Sequence, residues 1–127
     1  MSYYFSRTLD LPFAEAVDKA ITALKARGFG VLTRIDVQST LKEKIGADFR
    51  PCVILGACNP RMAHGAPMAE DKSGTMLPCN VVVQEFDGKT EVAAVDPVAS
   101  MQAIQNESLA TIAEKVRGEL KAAVEAI

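Results

Sequence analysis

The chain has 127 residues, of which 49% are hydrophobic and 24% are charged, which is ordinary for a globular domain and excludes a fibrous or disordered chain. Its 14 basic and 16 acidic side chains give a net charge of -2 with no run of like charge, so we expect neither a nucleic-acid nor a membrane partner. Three cysteines, an odd number at irregular spacing, argue against a secreted disulfide framework and for reduced thiols.

The N-terminal residues predict neither a secretion signal nor a membrane span. Residues 1–7 lack a basic leader followed by a long apolar run, and the apolar runs later in the chain, such as 80–84, are too short to cross a bilayer. We therefore expect a cytoplasmic protein that folds as one domain over residues 1–127, since two domains of half this length would bury little core.

The chain begins with a strand pattern followed by a helix pattern. Aromatic and β-branched residues over 3–8 predict the first strand. From Phe13 onward apolar residues recur at helical spacing, and Gly28 is the residue type that ends helices. These features predict a first helix over about Pro12 to Arg27.

Two further strands follow the first helix. Alternation with a period of two predicts the second strand over about 29–37, and a continuous apolar run predicts the third over 52–57. Between them, Thr40 and Glu43 have the spacing of a capping box. That spacing predicts one short helical turn before Gly46.

The connection after the third strand is predicted to be mostly irregular. Asn59-Pro60 has the pattern of a helix start. Gly65 and Pro67, however, limit any helix in this region to one or two turns. We therefore expect no long element before Pro78.

The next segment has the pattern of a β-hairpin. Residues 80–86 and 90–95 are strand-like and flank Asp87-Gly88. This dipeptide favours a two-residue turn because both of its residues tolerate positive φ. The two strands are therefore predicted to pair in antiparallel orientation in a fixed register.

The last segment predicts a long amphipathic helix from about Asn106 to Ala126, with one apolar stripe and charged residues elsewhere. The element order is strand, helix, four strands, helix. This order predicts an α+β fold, in which a single, mainly antiparallel, curved sheet carries both long helices on one face.

Two thiols and a carboxylate are predicted to gather at one edge of the sheet. The hairpin register places Cys79 opposite Asp96, with Cα atoms about 4.5 to 5.5 Å apart. Cys58 ends a strand expected beside the hairpin, which predicts Cys58 and Cys79 sulfurs within about 10 Å and unbridged in a reducing cytoplasm. Cys52 is expected mid-strand in the core. The candidate ligand-binding or thiol-site residues are Cys58, Asn59, Cys79, Asn80, Asp96 and His64.

A purely structural role is the alternative for each of these residues. Free cysteine commonly serves as a small apolar filler, asparagine satisfies backbone groups where strands stop, and the single histidine lies in no motif. A structural zinc would need four ligands, and no close cysteine pair is present. We therefore expect no metal and no cofactor, and the absence of a nucleophile elbow, a P-loop and a dinucleotide glycine fingerprint removes the commonest enzyme classes.

Several sequence blocks together resemble the family known as domain of unknown function 302. The blocks are ILGACNP at 54–60, LPCNVVV at 77–83, VDP at 95–97, GFGVLT followed by IDV within 28–37, and LKEK leading to FRP within 41–51. The resemblance covers nearly the whole chain. It implies a TATA-binding-protein-like order of elements without DNA binding, in a mainly bacterial and archaeal family with no assigned reaction. Gly65-Ala66-Pro67 departs from the family pattern and makes a helix there less expected.

Three functions are compatible with these observations. The first is a non-enzymatic module that binds a small ligand between the sheet and the C-terminal helix. The second is thiol-dependent redox relay or sulfur carriage through Cys58 and Cys79, and the third is a homodimeric interaction protein without a ligand site. The reactivity of the native thiols toward a charged reagent would distinguish chemistry from binding.

Overall fold

The computed structural model describes residues 2–127, whose five strands form one sheet in the order β1-β5-β4-β3-β2, with every neighbouring pair antiparallel. The strands are β1 Tyr4–Leu9, β2 Gly30–Asp36, β3 Cys52–Cys58, β4 Cys79–Phe86 and β5 Lys89–Val95. The helices are α1 Phe13–Ala26, α2 Val37–Ile45, α3 Pro60–Ala63, α4 Gly65–Ala69, α5 Pro97–Ser100 and α6 Glu107–Glu125, with a 3₁₀ turn at Ser73–Met76. The predicted α+β class is confirmed.

The two long helices pack on the same face of this sheet. Helix α1 contacts α6, β4 and β5, and α6 also contacts β5 and β1. The core between helices and sheet is formed by alternate strand residues, including Leu55, Val83 and Val92, together with Leu24 and Leu120. Alternation with period two puts these side chains on one face, so the predicted placement of both helices is confirmed.

The opposite face of the sheet is left open. Ile54, Val82 and Ala93 occupy its centre and are partly exposed, while Ile35 and Tyr4 on the two edge strands are 47% and 43% exposed. These positions face away from α1 and α6 because they alternate with the core residues. The sheet thus has one covered and one uncovered surface.

The β4–β5 hairpin has the predicted turn and register. Asp87 and Gly88 have φ of 53° and 73°, as a two-residue turn requires, and Phe86 pairs with Lys89. The ladder ends where Val81 pairs with Ala94. Cys79 and Asp96 lie in the same register two residues further on, and the distance between their Cα atoms stays a prediction.

Helix α6 begins where its sequence predicts. The Asn106 side chain accepts a hydrogen bond from the Leu109 N–H at 3.1 Å, and its amide donates to the Ala69 carbonyl at 2.7 Å. The apolar stripe is buried, including Leu109, Val116 and Leu120. Within residues 2–127, none of the helices is long and apolar enough to cross a membrane.

Helix α2 is longer than predicted and starts at a different residue. It spans nine residues, and its N-cap is Asp36, whose carboxylate accepts a hydrogen bond from the Ser39 N–H at 2.9 Å. The Thr40 and Glu43 pair lies inside the helix and does not cap it. Asp36 is the last residue of β2, and aspartate is a stronger N-cap residue than threonine, so the expected capping box was wrong. Gly46 ends the helix with φ of 66°, as its residue type suggests.

The connection between β3 and β4 is more helical than predicted. It contains α3, α4 and the 3₁₀ turn in place of a mostly irregular chain. Pro67 is the third residue of α4, in the first turn, where its missing N–H has no partner within the helix. Pro60 opens α3 in the same way. Helices α3 and α4 have four and five residues, so the predicted limit of one or two turns is confirmed, whereas the expectation of a mostly irregular connection was wrong.

Candidate functional site

Strands β3 and β4 bring two of the three cysteines together at one end of the sheet. Cys58 is the last residue of β3 and Cys79 is the first residue of β4. The two strands are hydrogen-bonded neighbours, and Ala57 pairs directly with Cys79. The prediction that the Cys58 strand lies beside the hairpin is therefore confirmed.

Cys58 and Cys79 both belong to the residues around one cavity, and only the Cys79 side chain is part of the core between helices and sheet. The cavity has a volume of about 30 Å³, and its wall is almost entirely apolar. It lies where the core between helices and sheet, the helix-side core, meets a second apolar cluster. That cluster is formed by Ala66, Met101, Leu109 and Ala113. The wall also includes Phe29, Ala57, Ala66, Leu77, Pro97, Met101, Ile112, Ala113 and Val116.

The cavity is small. A water molecule needs about 10–15 Å³ of such space and two to four polar partners. The volume is therefore enough for one or two water-sized atoms, but the apolar wall offers water few hydrogen bonds. An organic molecule would fit only if the side chains around the cavity moved.

Cys79 is a buried and fully protonated thiol at neutral pH. Its side chain is only 6% exposed and belongs to the helix-side core, as its place in the hairpin predicts. Burial, with a smaller contribution from the charge of nearby Cys58, raises the pKa of Cys79 to about 11. Cys58 itself is half-buried. The predicted sulfur separation of about 10 Å is compatible with a shared cavity wall and stays a prediction.

Cys52 does not occupy the predicted position. It is the first residue of β3, pairs with Gln84 and lies on the opposite face of that strand from Val53 and Leu55. It is buried, yet it lies outside the helix-side core. Burial raises the pKa of Cys52, with Arg50 acting in the opposite direction. Cys52 is buried as expected, but the expected mid-strand position was wrong, since Cys52 is the first residue of β3 and lies outside the core between helices and sheet.

Asn59 is buried and its polar atoms are used by the backbone. Its carbonyl oxygen accepts a hydrogen bond from the Met62 N–H at 3.4 Å, which caps α3, and its amide donates to the Arg27 carbonyl at 3.2 Å. A Cβ at Gly28, where φ is 85°, would lie 3.1 Å from the Asn59 amide nitrogen. Asn59 therefore fixes the wall of the cavity next to Cys58 by joining α1 to α3.

Asp96 is also engaged by neighbouring groups. Its side chain is 10% exposed, accepts a hydrogen bond from the Val98 N–H at 3.0 Å and forms a 3.1 Å ion pair with Arg117 Nε. The Arg117 guanidinium also lies 5.3 Å from the centre of the Phe5 ring. Asp96 thus caps α5 and ties it to α6, which positions Pro97 in the cavity wall.

Asn80 and His64 lie away from the cavity. Asn80 is exposed and lines a shallow groove on the open face with Tyr3 and Tyr4. His64 is exposed at the junction of α3 and α4. Within the described residues, no three His, Cys, Asp or Glu side chains are grouped so that they could hold a metal ion.

The structure therefore brings Cys58, Asn59 and Cys79 together at one cavity, with Asp96 just behind its wall. Sequence reasoning missed Met101, a buried residue that contributes a thioether to the same wall. Its position follows from α5, and the only sequence signal for that helix is Asp96-Pro97, the same cap-and-proline pattern as Asn59-Pro60.

The family model described as "Domain of unknown function DUF302" matches residues 5–127. Among solved structures, the chain is similar to one described as the crystal structure of an uncharacterized conserved protein DUF302 from Bacillus stearothermophilus. The two sequences are 29% identical, the alignment covers 99% of this chain and 98% of the other, and the TM-score is 0.93. No protein with curated annotation matches the chain.

Proposed function

The chain belongs to the DUF302 family, and we propose that it acts as a single-domain protein that binds a small ligand in the cavity beside Cys58 and Cys79. The observation that carries this proposal is an apolar cavity bordered by two free cysteines, Cys58 and Cys79. Protein interiors are normally packed without such spaces. A cytoplasmic location is part of the proposal, because unbridged cysteines are typical of reducing compartments.

Ligand binding is favoured over thiol catalysis because the Cys79 thiol is protonated and the Asp96 carboxylate is already engaged. A nucleophilic cysteine needs a lowered pKa and access to solvent, whereas burial raises the pKa of Cys79 to about 11. Asp96 could serve as a base only with free lone pairs, and its carboxylate is engaged by Val98 and Arg117. These properties suit a site that holds a ligand better than one that attacks a substrate.

Filling the cavity is expected to remove the bound ligand. Ala113 lies on α6 in the cavity wall, and Ala113→Val adds two methyl groups at that wall. In a native mass spectrum of freshly purified protein, we expect a non-covalent mass adduct on the wild-type chain that is lost on denaturation. The adduct should be absent from Ala113→Val.

The matched control is Ala110→Val, which places the same substitution on the same helix at an exposed position. It has the same cost in helix propensity and should keep the adduct. Circular dichroism establishes that both variants are folded. A wild-type chain without any adduct, or an adduct kept by Ala113→Val, would refute binding in this cavity.

A second proposed function is self-association through the open face of the sheet. Its centre is formed by the partly exposed residues Ile54, Val82 and Ala93, and Ile35 and Phe86 extend the apolar surface toward the rim. Five strands of about seven residues span about 24 by 23 Å, or about 550 Å² in projection. Side chains raise the accessible area above this value, toward the roughly 800 Å² that each partner buries in a typical stable interface. We propose a second copy of the chain as the occupant, giving a homodimer.

A charge at the centre of the open face is expected to separate this dimer. Light scattering should give twice the chain mass of 13.6 kDa for the wild type and the mass of one chain for Val82→Glu, because an unpaired buried carboxylate is costly. Met68→Glu is the control, since Met68 is 78% exposed on α4. A wild type that is monomeric at about 100 µM, a concentration at which even a micromolar dimer forms, would show this proposal to be wrong.

A further inference from the structure

We infer that the cavity is the inner end of a longer site for an aliphatic chain with an uncharged polar head, and that the Met101 side chain is the gate within this site. The inference rests on the proposed function, because it names the class of ligand held in the same cavity. It depends on a second space next to the cavity, on the residues that the two spaces share, and on the change from apolar to polar side chains along them.

A wide groove lies directly outside the cavity. It has a volume of about 470 Å³ and runs between the turn after α5 and the first half of α6. Met101 and Ala113 line both the groove and the cavity, so these two residues form the partition between the two spaces. The groove is within the range of roughly 300 to 1,000 Å³ that small-molecule sites occupy, whereas the cavity alone, at about 30 Å³, is far below it.

Met101 is the part of this partition that can move. It is buried and belongs to the same apolar cluster as Ala113 and Leu109. Methionine is unbranched and its flexible side chain adapts to irregular spaces, whereas the methyl group of Ala113 has no rotamer to change. Rotation of the Met101 side chain is therefore the smallest movement that joins the cavity to the groove.

The backbone that carries Met101 is fixed on both sides. Before it, the Asp96 carboxylate caps α5 and pairs with Arg117 on α6 at 3.1 Å. After it, the Asn106 amide donates a hydrogen bond to the Ala69 carbonyl at 2.7 Å. These contacts hold the walls of the site in place, so the side chain acts as the gate while the backbone around it stays fixed.

The character of the wall changes along the site and indicates the class of ligand. The cavity is almost entirely apolar, whereas the side chains of Gln102, Gln105 and Glu107 line the groove. An aliphatic tail matches the inner end, and a head that exchanges hydrogen bonds with amides and a carboxylate matches the outer end. Among the described residues that line the groove, none is a lysine or an arginine. A carboxylate head is therefore disfavoured, because Glu107 repels it and no cation offsets its charge.

The inner cavity takes only the end of the tail. Its volume of about 30 Å³ is enough for one or two water-sized atoms, which corresponds to the terminal methyl group and one methylene group. The rest of the chain passes Met101 and lies in the groove, with its head at the polar rim.

Calorimetric titration with 1-butanol, 1-hexanol and 1-octanol tests the aliphatic chain. Each further buried methylene group should lower the Kd roughly fourfold, so 1-octanol should bind roughly two hundredfold more tightly than 1-butanol. Octanoate has a tail of similar length and a charged head, and it should bind about tenfold more weakly than 1-octanol. Equal Kd values for 1-butanol and 1-octanol, or for 1-octanol and octanoate, would overturn the inference.

Ala113→Val and Ala110→Val form the matched pair of variants for this titration. Ala113 borders both spaces, so its added methyl groups close the passage and exclude about two carbon atoms from the cavity. The Kd of Ala113→Val for 1-octanol should therefore rise roughly fifteenfold. Ala110 is exposed on the outer wall of the wide groove, and Ala110→Val should bind 1-octanol within about a factor of two of the wild type. An unchanged Kd in Ala113→Val would show that the chain does not enter the cavity.

The gate is observed directly by NMR of the wild-type chain with isotope-labelled methionine methyl groups. The Met101 resonance should shift on addition of 1-octanol, whereas the resonance of Met68, which is exposed on α4, should stay in place. The signal missing from Met101→Leu assigns the resonance. Because the titrated protein is the wild type, this test holds even if Ala113→Val does not fold. Binding of 1-octanol without any shift of the Met101 resonance would refute the gate.

Failure of this inference can be distinguished from failure of the proposed function. A wild type that carries a native mass adduct lost in Ala113→Val, but does not bind 1-octanol, would refute the aliphatic class and leave ligand binding in place. A wild type that carries no adduct and binds none of the alcohols would refute both. An adduct with the mass of an aliphatic molecule, together with the expected dependence on chain length, would support both.

Discussion

Replacing Leu120 by alanine is expected to lower the free energy of unfolding by about 2 to 5 kcal/mol, the cost of deleting a large aliphatic side chain from a packed core. Leu120 is fully buried on α6, in the cluster that joins this helix to α1 and the sheet. The deletion removes apolar contacts and leaves a cavity that neighbouring side chains fill only in part. Equilibrium unfolding in urea measures the change.

Leu32→Ala is the matched control, since it deletes the same atoms at a site that is 65% exposed. Leu32 lies at the irregularity of β2 between Val31 and Thr33, and its replacement should change the unfolding free energy by less than about 0.5 kcal/mol. Equal losses in the two variants would mean that α6 does not bury its stripe as described.

The elements that sequence reasoning placed well are those specified by local patterns. The α6 stripe repeats over five turns, so burial of one residue predicts burial of the others. The register of β4 and β5 follows from Asp87-Gly88 alone, because a two-residue turn leaves only one alignment. Such signals depend on neighbours in the sequence and not on the rest of the fold.

The elements that it missed depend on distant contacts or on competition between similar signals. Asp36 and Thr40 are both acceptable N-caps, and the structure uses Asp36, the last residue of β2. Helix α4 contains Gly65 and Pro67, which are poor helix formers in isolation, yet it packs against α6. Tertiary packing therefore stabilises a segment that local propensity does not favour.

The same distinction applies to the candidate site. The Cys58 and Cys79 neighbourhood could be predicted because it follows from strand ends and a hairpin register. Met101 could not be found in this way, because it reaches the cavity only through the fold of α5 against α6. Cys52 was misplaced because the apolar run over 52–57 has no alternation to show which of its residues face the helices.

Raising the pH is expected to destabilise the protein through Cys79. Burial raises the pKa of Cys79 to about 11 in the folded chain, from about 9 without burial. The unfolded chain therefore loses this proton first as the pH rises. The resulting stabilisation is fully present below pH 9, declines between pH 9 and 11, and is lost above pH 11. Since a tenfold difference in acidity corresponds to about 1.4 kcal/mol, the loss between pH 8 and 10.5 should be about 2 kcal/mol.

Comparison with Cys79→Ala isolates this contribution from the other groups that titrate in the same range, chiefly lysines and tyrosines. Urea unfolding at pH 8 and pH 10.5, with a chelator and a reductant present, gives the difference in stability between wild type and variant at each pH. That difference should shrink by about 2 kcal/mol at the higher pH, because only the wild type has the buried thiol to deprotonate. A Cys52→Ala chain keeps the Cys79 thiol. As the pH rises, it should therefore lose stability much as the wild type does. If the difference between wild type and Cys79→Ala is the same at both pH values, Cys79 is not held protonated by burial, and the closed apolar cavity inferred around it is wrong.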